Sequence, residues 1–68
     1  SDIEQLQHLL ATMRPEHART LLLHDALGHE LSEIAVLMGV SVAAAQSRLV
    51  RGRKEFLRRA RTRLGREA

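Results

Sequence analysis

Gly39, Val40 and Ser41 separate two stretches of helical apolar spacing and leave the chain only three residues in which to turn. Before the turn, Ile34, Leu37 and Met38 face one way with Ala35 beside Ile34, which marks a short helix over about 31–38. After it, Ala45, Leu49, Gly52 and Phe56 recur at spacings of four, three and four on a longer helix of about 42–64. At 100° per residue, their directions stay within about 40° of one another. Gly39 suits the left-handed residue that ends a helix, and Ser41 suits an N-cap. No capping box accompanies it, because Ala44 stands three residues on. A short helix, a tight turn with Gly and a longer helix is the helix-turn-helix pattern. An ordinary helical hairpin uses the same parts; what favours the nucleic-acid version is that the second helix is basic.

Two more helices precede this pair. Ile3, Leu6, Leu10 and Met13 recur at helical spacing over about 2–13. Pro15 fits the first position of a second helix, and Glu16 beside it suits the positive end of the helix dipole. Ala18, Leu21, Leu22 and Ala26 form one face of that helix, Leu23 and Leu27 widen it, and Gly28 ends it, giving about 15–27. So wide an apolar face predicts a central helix. Gly52 in the middle of the last helix costs about 1 kcal/mol relative to Ala; close approach of a neighbouring helix is the physical reason to keep it. The expectation is an all-α, four-helix domain with no sheet and the helix-turn-helix at about 31–58. At 68 residues the chain is one domain, and with no Cys and a single Phe it must be held by aliphatic packing.

Charge is divided along the chain. Residues 48–68 carry nine basic and two acidic side chains, a net of +7, whereas residues 1–47 carry two basic and six acidic, a net of −4. Such polarity points one end at a polyanion, although a solvated helix tail has the same composition. No apolar run reaches the roughly 18 residues of a membrane helix and no signal peptide is visible, so a cytoplasmic location with no membrane partner is expected. The four His residues have no i, i+4 pairing and no Cys among them, so no metal or cofactor is expected. Without a phosphate-binding loop or a nucleophile motif, neither an enzyme nor a small-molecule substrate is expected.

The stretch from Pro15 to Leu57 resembles region 4 of bacterial sigma factors, the extracytoplasmic-function (ECF) group in particular. The resemblance is carried by Pro15-Glu16-His17, Leu21-Leu22-Leu23, Gly28, Glu33-Ile34-Ala35, Gly39-Val40-Ser41, and above all Ser47-Arg48-Leu49-Val50-Arg51-Gly52-Arg53. The last is similar to the family's Ser-Arg-Leu-x-Arg-Ala-Arg, with Gly52 in the Ala position. It implies a winged-helix-like DNA-binding fold that recognises the −35 promoter element, directs RNA polymerase to promoters and docks on the β-subunit flap. ECF members are often held by an anti-sigma factor, which joins the expected partners. Region 2 is absent here, so a piece of a longer protein is expected. Departures are Ala43-Ala44-Ala45 in place of Gly-Thr-Val, Gln46 at an often basic position, Ala18 then Arg19 after His17, and His29-Glu30 for Leu-Ser.

The major groove admits a helix whose N-terminal residues reach base edges. On that geometry Gln46, Ser47, Val50 and Arg51 are the expected base contacts: Arg51 to guanine, Gln46 to adenine, Val50 to a thymine methyl. Arg48 and Lys54 are expected on phosphates, as is Ser32 at the N-terminus of the third helix. Arg48 has an alternative as an ion-pair partner of Glu33, and Arg58 to Arg66 as a solvated tail. A helix-turn-helix effector domain of the LuxR type shares the short helix and turn. A module that docks on polymerase or an anti-sigma factor without reading DNA is a further alternative, with Leu9 and Leu23 as its contact residues.

Overall fold

In the computed structural model, residues 1–67 are described, with side chains through Arg63. Helix α1 spans Asp2–Thr12, and Ser1 caps it by accepting the Glu4 N–H at 3.3 Å. Arg14 is extended, as the residue before a proline must be, and α2 starts at Pro15 and spans Pro15–Leu21. α3 spans Leu31–Met38 and α4 Val42–Glu67. There is no strand among the described residues, so the domain is all-α and its helix-turn-helix carries no β wing.

The expected second helix does not stay α-helical. From Leu22 to Ala26 it widens into a π turn, with the Leu27 N–H bonding the Leu22 carbonyl at 3.0 Å. The His29 N–H then reaches back to the Leu23 carbonyl at 2.9 Å, across Gly28 at φ +76°. The extra residue in this turn lets Leu23 pack against the α3–α4 core while Leu22 remains 47% exposed.

The turn between α3 and α4 is built as the residue types require. Gly39 takes φ +66°, the Val40 N–H bonds the Ala35 carbonyl at 2.9 Å, and the Gly39 N–H bonds that of Val36 at 3.2 Å. These are the two bonds of a Schellman motif. Ser41 Oγ then accepts the Ala44 N–H at 3.0 Å and caps α4. The two helix axes differ by 101°, within the range of helix-turn-helix pairs.

Two apolar clusters hold the helices together. Ile34, Ala35 and Ala45 are buried between α3 and α4, while Met13, Leu21 and Leu49 join α1, α2 and α4, and Leu31 touches both groups. Fully buried Thr20 donates its hydroxyl to the Glu16 carbonyl at 2.7 Å and lies 3.4 Å from Met38 Sδ. The small-residue line on α4 faces inward as expected. A Cβ at Gly52 would sit 3.2 Å from the His17 carbonyl oxygen, 3.3 Å from His17 Cβ and 3.4 Å from Leu21 Cγ. Glycine therefore sets the distance between α2 and α4. A β-branched residue there would push against backbone that belongs to a helix and cannot swing aside. Gly52→Val is expected to destabilise the domain by about 1–3 kcal/mol in chemical denaturation; an unchanged midpoint would show that α2 and α4 do not pack this closely.

Candidate nucleic-acid interface

Burying Ala45, Leu49 and Gly52 fixes which side of α4 faces solvent. Gln46, Ser47, Val50, Arg51 and Lys54 all lie exposed on the outward side, in the turns that follow the Ser41 cap. Apolar Val50 is 40% exposed among them. Arg48 lies on the flank, half-buried, where it lines an open cleft of about 610 Å³ with Arg14, Glu16, Arg51, Lys54 and Arg58. The alternative ion pair of Arg48 with Glu33 is not formed among the described residues. Glu33 instead accepts the Glu30 N–H at 3.0 Å and lies 3.6 Å from His29 Nδ1. That N–H bond holds the Glu33 carboxyl below its ordinary range despite slight desolvation. Ser32 is exposed in the first turn of α3, beside this capping carboxylate.

Two residues of α4 have roles that the sequence reading missed. Glu55 is 5% exposed at the inner edge of the cationic cleft. It accepts the Arg14 N–H at 3.1 Å, meets His17 Nδ1 at 3.0 Å and is bridged by Arg59 at 3.4 Å. Burial alone would raise its carboxyl; the bonds from His17 and the Arg14 N–H, with the Arg59 charge, outweigh that and hold it below the ordinary range. The carboxylate thus ties the start of α2 to the middle of α4. One signal was available: Glu55 is the single acid among the basic residues from Arg48 to Arg66.

The other residue is Arg53, at the end of the Ser47–Arg53 stretch. It forks onto Asp25, with Nε to Oδ2 at 3.1 Å and Nη2 to Oδ1 at 2.7 Å. The guanidinium first, and His24 at 2.8 Å second, bring the Asp25 carboxyl down to about 2. The pair sits on the rim of an open apolar groove of about 390 Å³ whose lining includes Leu6, Leu10, Leu22, Phe56 and Leu57. Leu9 and Leu23, the contact residues expected of a docking module, are instead packed in or against the core.

A capped turn, crossed helices and an outward cationic helix define the helix-turn-helix class. Comparison with protein families then finds a match to sigma-70, region 4 over residues 3–56, most of the chain. The chain belongs to this family, the promoter-binding region of sigma factors, a DNA-binding transcription family rather than an enzyme family. No curated protein and no solved structure matches it. No single helix among the described residues is long and apolar enough to cross a membrane.

Both buried and rim carboxyls titrate lower in the folded chain than unfolded, so each adds stability above its unfolded value and loses it in acid. For Asp25 the loss runs from about 3.8 down to about 2; for Glu55 it begins below 4.5. Glu55→Gln keeps an acceptor but removes the charge, and is expected to cost about 1–3 kcal/mol at neutral pH. It should also flatten the acid limb of a stability–pH curve; an equally steep limb in the variant would place the titrating group elsewhere.

Proposed function

We propose that this domain binds the −35 promoter element as region 4 of an ECF sigma factor and so directs RNA polymerase to its promoters, in the cytoplasm. The observation that carries the reading is the exposed row Gln46, Ser47, Val50 and Arg51 at the start of a capped helix set 101° from its partner. The first turns of α4 enter the major groove. Arg51 forks onto O6 and N7 of a guanine, Gln46 pairs with N6 and N7 of an adenine, Ser47 bonds a base edge, and Val50 meets a thymine methyl. Arg48, Lys54 and the Ser32 hydroxyl bind phosphates and set register. The ECF assignment rests on the similarity of the Ser47 to Arg53 run. Ala43 and Ala44 offer no hydroxyl, so base reading falls to the residues after them.

A second face supports polymerase binding. The groove between α1, the π turn and α4 is apolar, open, and lined by side chains that stay exposed, with Leu6 and Leu22 each 47% and Leu57 51% accessible. An amphipathic helix of the β flap fits such a groove by its apolar face; an anti-sigma factor would compete for the same surface.

Arg51→Ala is expected to weaken binding to a −35 duplex by about 1–3 kcal/mol and to a scrambled duplex by less. Equal losses in a fluorescence titration would reject base readout by Arg51. Leu22→Gln, a neutral change away from the α4 face, should reduce binding to an isolated flap fragment at least tenfold and leave duplex affinity unchanged. Undiminished flap binding would remove the groove from the polymerase contact.

A further inference from the structure

The C-terminal half of α4 lies against α1 with a second cleft between them. His8 and Thr12 of α1 face Arg58, Arg59 and Arg63 of α4 across an open space of about 610 Å³. The two threonine hydroxyls on its walls are already committed: Thr12 donates to the Leu9 carbonyl at 2.7 Å and Thr62 to that of Arg58 at 3.0 Å. The arginines and the His8 ring are therefore the donors left to a ligand. Among the described residues only Arg59 of these arginines has a carboxylate within ion-pair distance, and that one is Glu55. Arg63 Nε is buried and has no hydrogen-bond partner among the described residues. A buried guanidinium nitrogen left without an acceptor is costly, and an oxyanion would satisfy it.

Arg58 lines both this cleft and the one beside Arg48. Their lining residues together mark one flank of α4 from Arg48 to Arg63. That flank is about 22 Å long at 1.5 Å per residue, several times the spacing of phosphates along a strand. The lining also decides the kind of partner. Its apolar member is Leu9, only 9% exposed. The core of a protein–protein interface needs an apolar anchor and is depleted of charge, whereas a phosphodiester backbone needs only cationic donors in a row.

The geometry points to a phosphate-binding track in the α1–α4 cleft, in which Arg58 and Arg63 hold the duplex backbone beyond the base pairs read by the start of α4. This rests on the proposed insertion of α4 into the major groove. Such a track would give the domain added affinity that is independent of sequence and depends on duplex length.

The test compares the wild-type domain with Arg58→Gln/Arg63→Gln on two sets of duplexes. One set ends at the −35 element, and the other extends about eight base pairs past it on both sides, roughly the reach of α4 at 3.4 Å per step. Each set is made with promoter and with scrambled sequence. The expected result is that the variant matches wild type on the short duplexes and binds the long ones more weakly. Losing two phosphate contacts should also make its affinity for long duplexes fall about tenfold less than that of wild type between 50 and 200 mM salt. Equal affinities and salt slopes on long duplexes would overturn the track. If wild type shows no promoter preference, the −35 reading fails, while the length dependence of wild type against variant still judges the track. A third arm titrates inorganic pyrophosphate. Saturable binding lost in the variant, with no length effect on DNA, would assign the cleft to a small phosphorylated ligand and overturn the backbone track.

Discussion

The backbones of α2 and α4 meet at Gly52 with no side chain between them, and the rest of the domain is arranged around that contact. Because the helices are so close, neighbouring residues of α4 reach α2 at different points along its length. Leu49 packs beside Leu21, Arg53 reaches Asp25 in the π turn, and Glu55 reaches the Arg14 N–H where α2 begins. Two turns of α4 therefore grip α2 from end to end. Turning Gly52 and Glu55 toward α2 leaves Ser47, Val50 and Lys54 with no direction but outward. The exposed face of α4 is a consequence of the inward packing, since on a helix the two are set by one rotation.

Such a helix carries a problem of its own. Residues 48–68 bring a net charge of +7 against a small body, and self-repulsion works against compactness. Two acids, Asp25 beside α4 and Glu55 within it, are placed where they relieve this repulsion without covering the outward face. Asp25 takes Arg53, and Glu55 takes Arg59 and His17. The Asp25 pair is about half exposed and adds little net stability, as surface ion pairs do. The Glu55 cluster differs because it is buried: removing either side would leave a desolvated group unpaired. Its value lies as much in fixing the angle between α2 and α4 as in net stability, since the carboxylate fills several donors at once.

Local chemistry was legible in the sequence and distant pairing was not. Gly39 and Ser41 announce the turn because their roles, a left-handed cap and a hydroxyl cap, concern only the next few residues. The line Ala45, Leu49, Gly52, Phe56 shows its face because small and apolar residues at helical spacing have few uses other than packing. Arg53 is different. It stands in the same basic run as Arg51, two residues away, and looks equally fit for DNA; what diverts it is Asp25, 28 residues distant in the chain. Glu55 is hidden in the same way, its partners Arg14 and His17 lying on another helix. The π turn has no periodic signal, because Leu21, Leu22 and Leu23 are all apolar and any winding presents one of them to the core. For the same reason, Leu23 was a plausible contact residue until the wide turn faced it inward and left Leu22 outside.

The length of α4 bears on how two partners can be held together. The outward residues Ser47 and Val50 and the groove residue Leu57 lie at similar angles around the helix, so direction alone does not keep DNA and polymerase apart. Distance along the axis does. From Val50 to Leu57 is about 10 Å at 1.5 Å per residue, about two helical turns beyond the exposed row. A helix that entered the groove by its first turns would thus leave Leu57, and the groove it borders with Leu6 and Leu22, clear of the bases. A recognition helix confined to reading DNA would need only its first three turns beyond Ser41. On the proposed reading, the 26 residues of Val42–Glu67 are what allow one helix to read bases at one end and to wall the apolar groove further on.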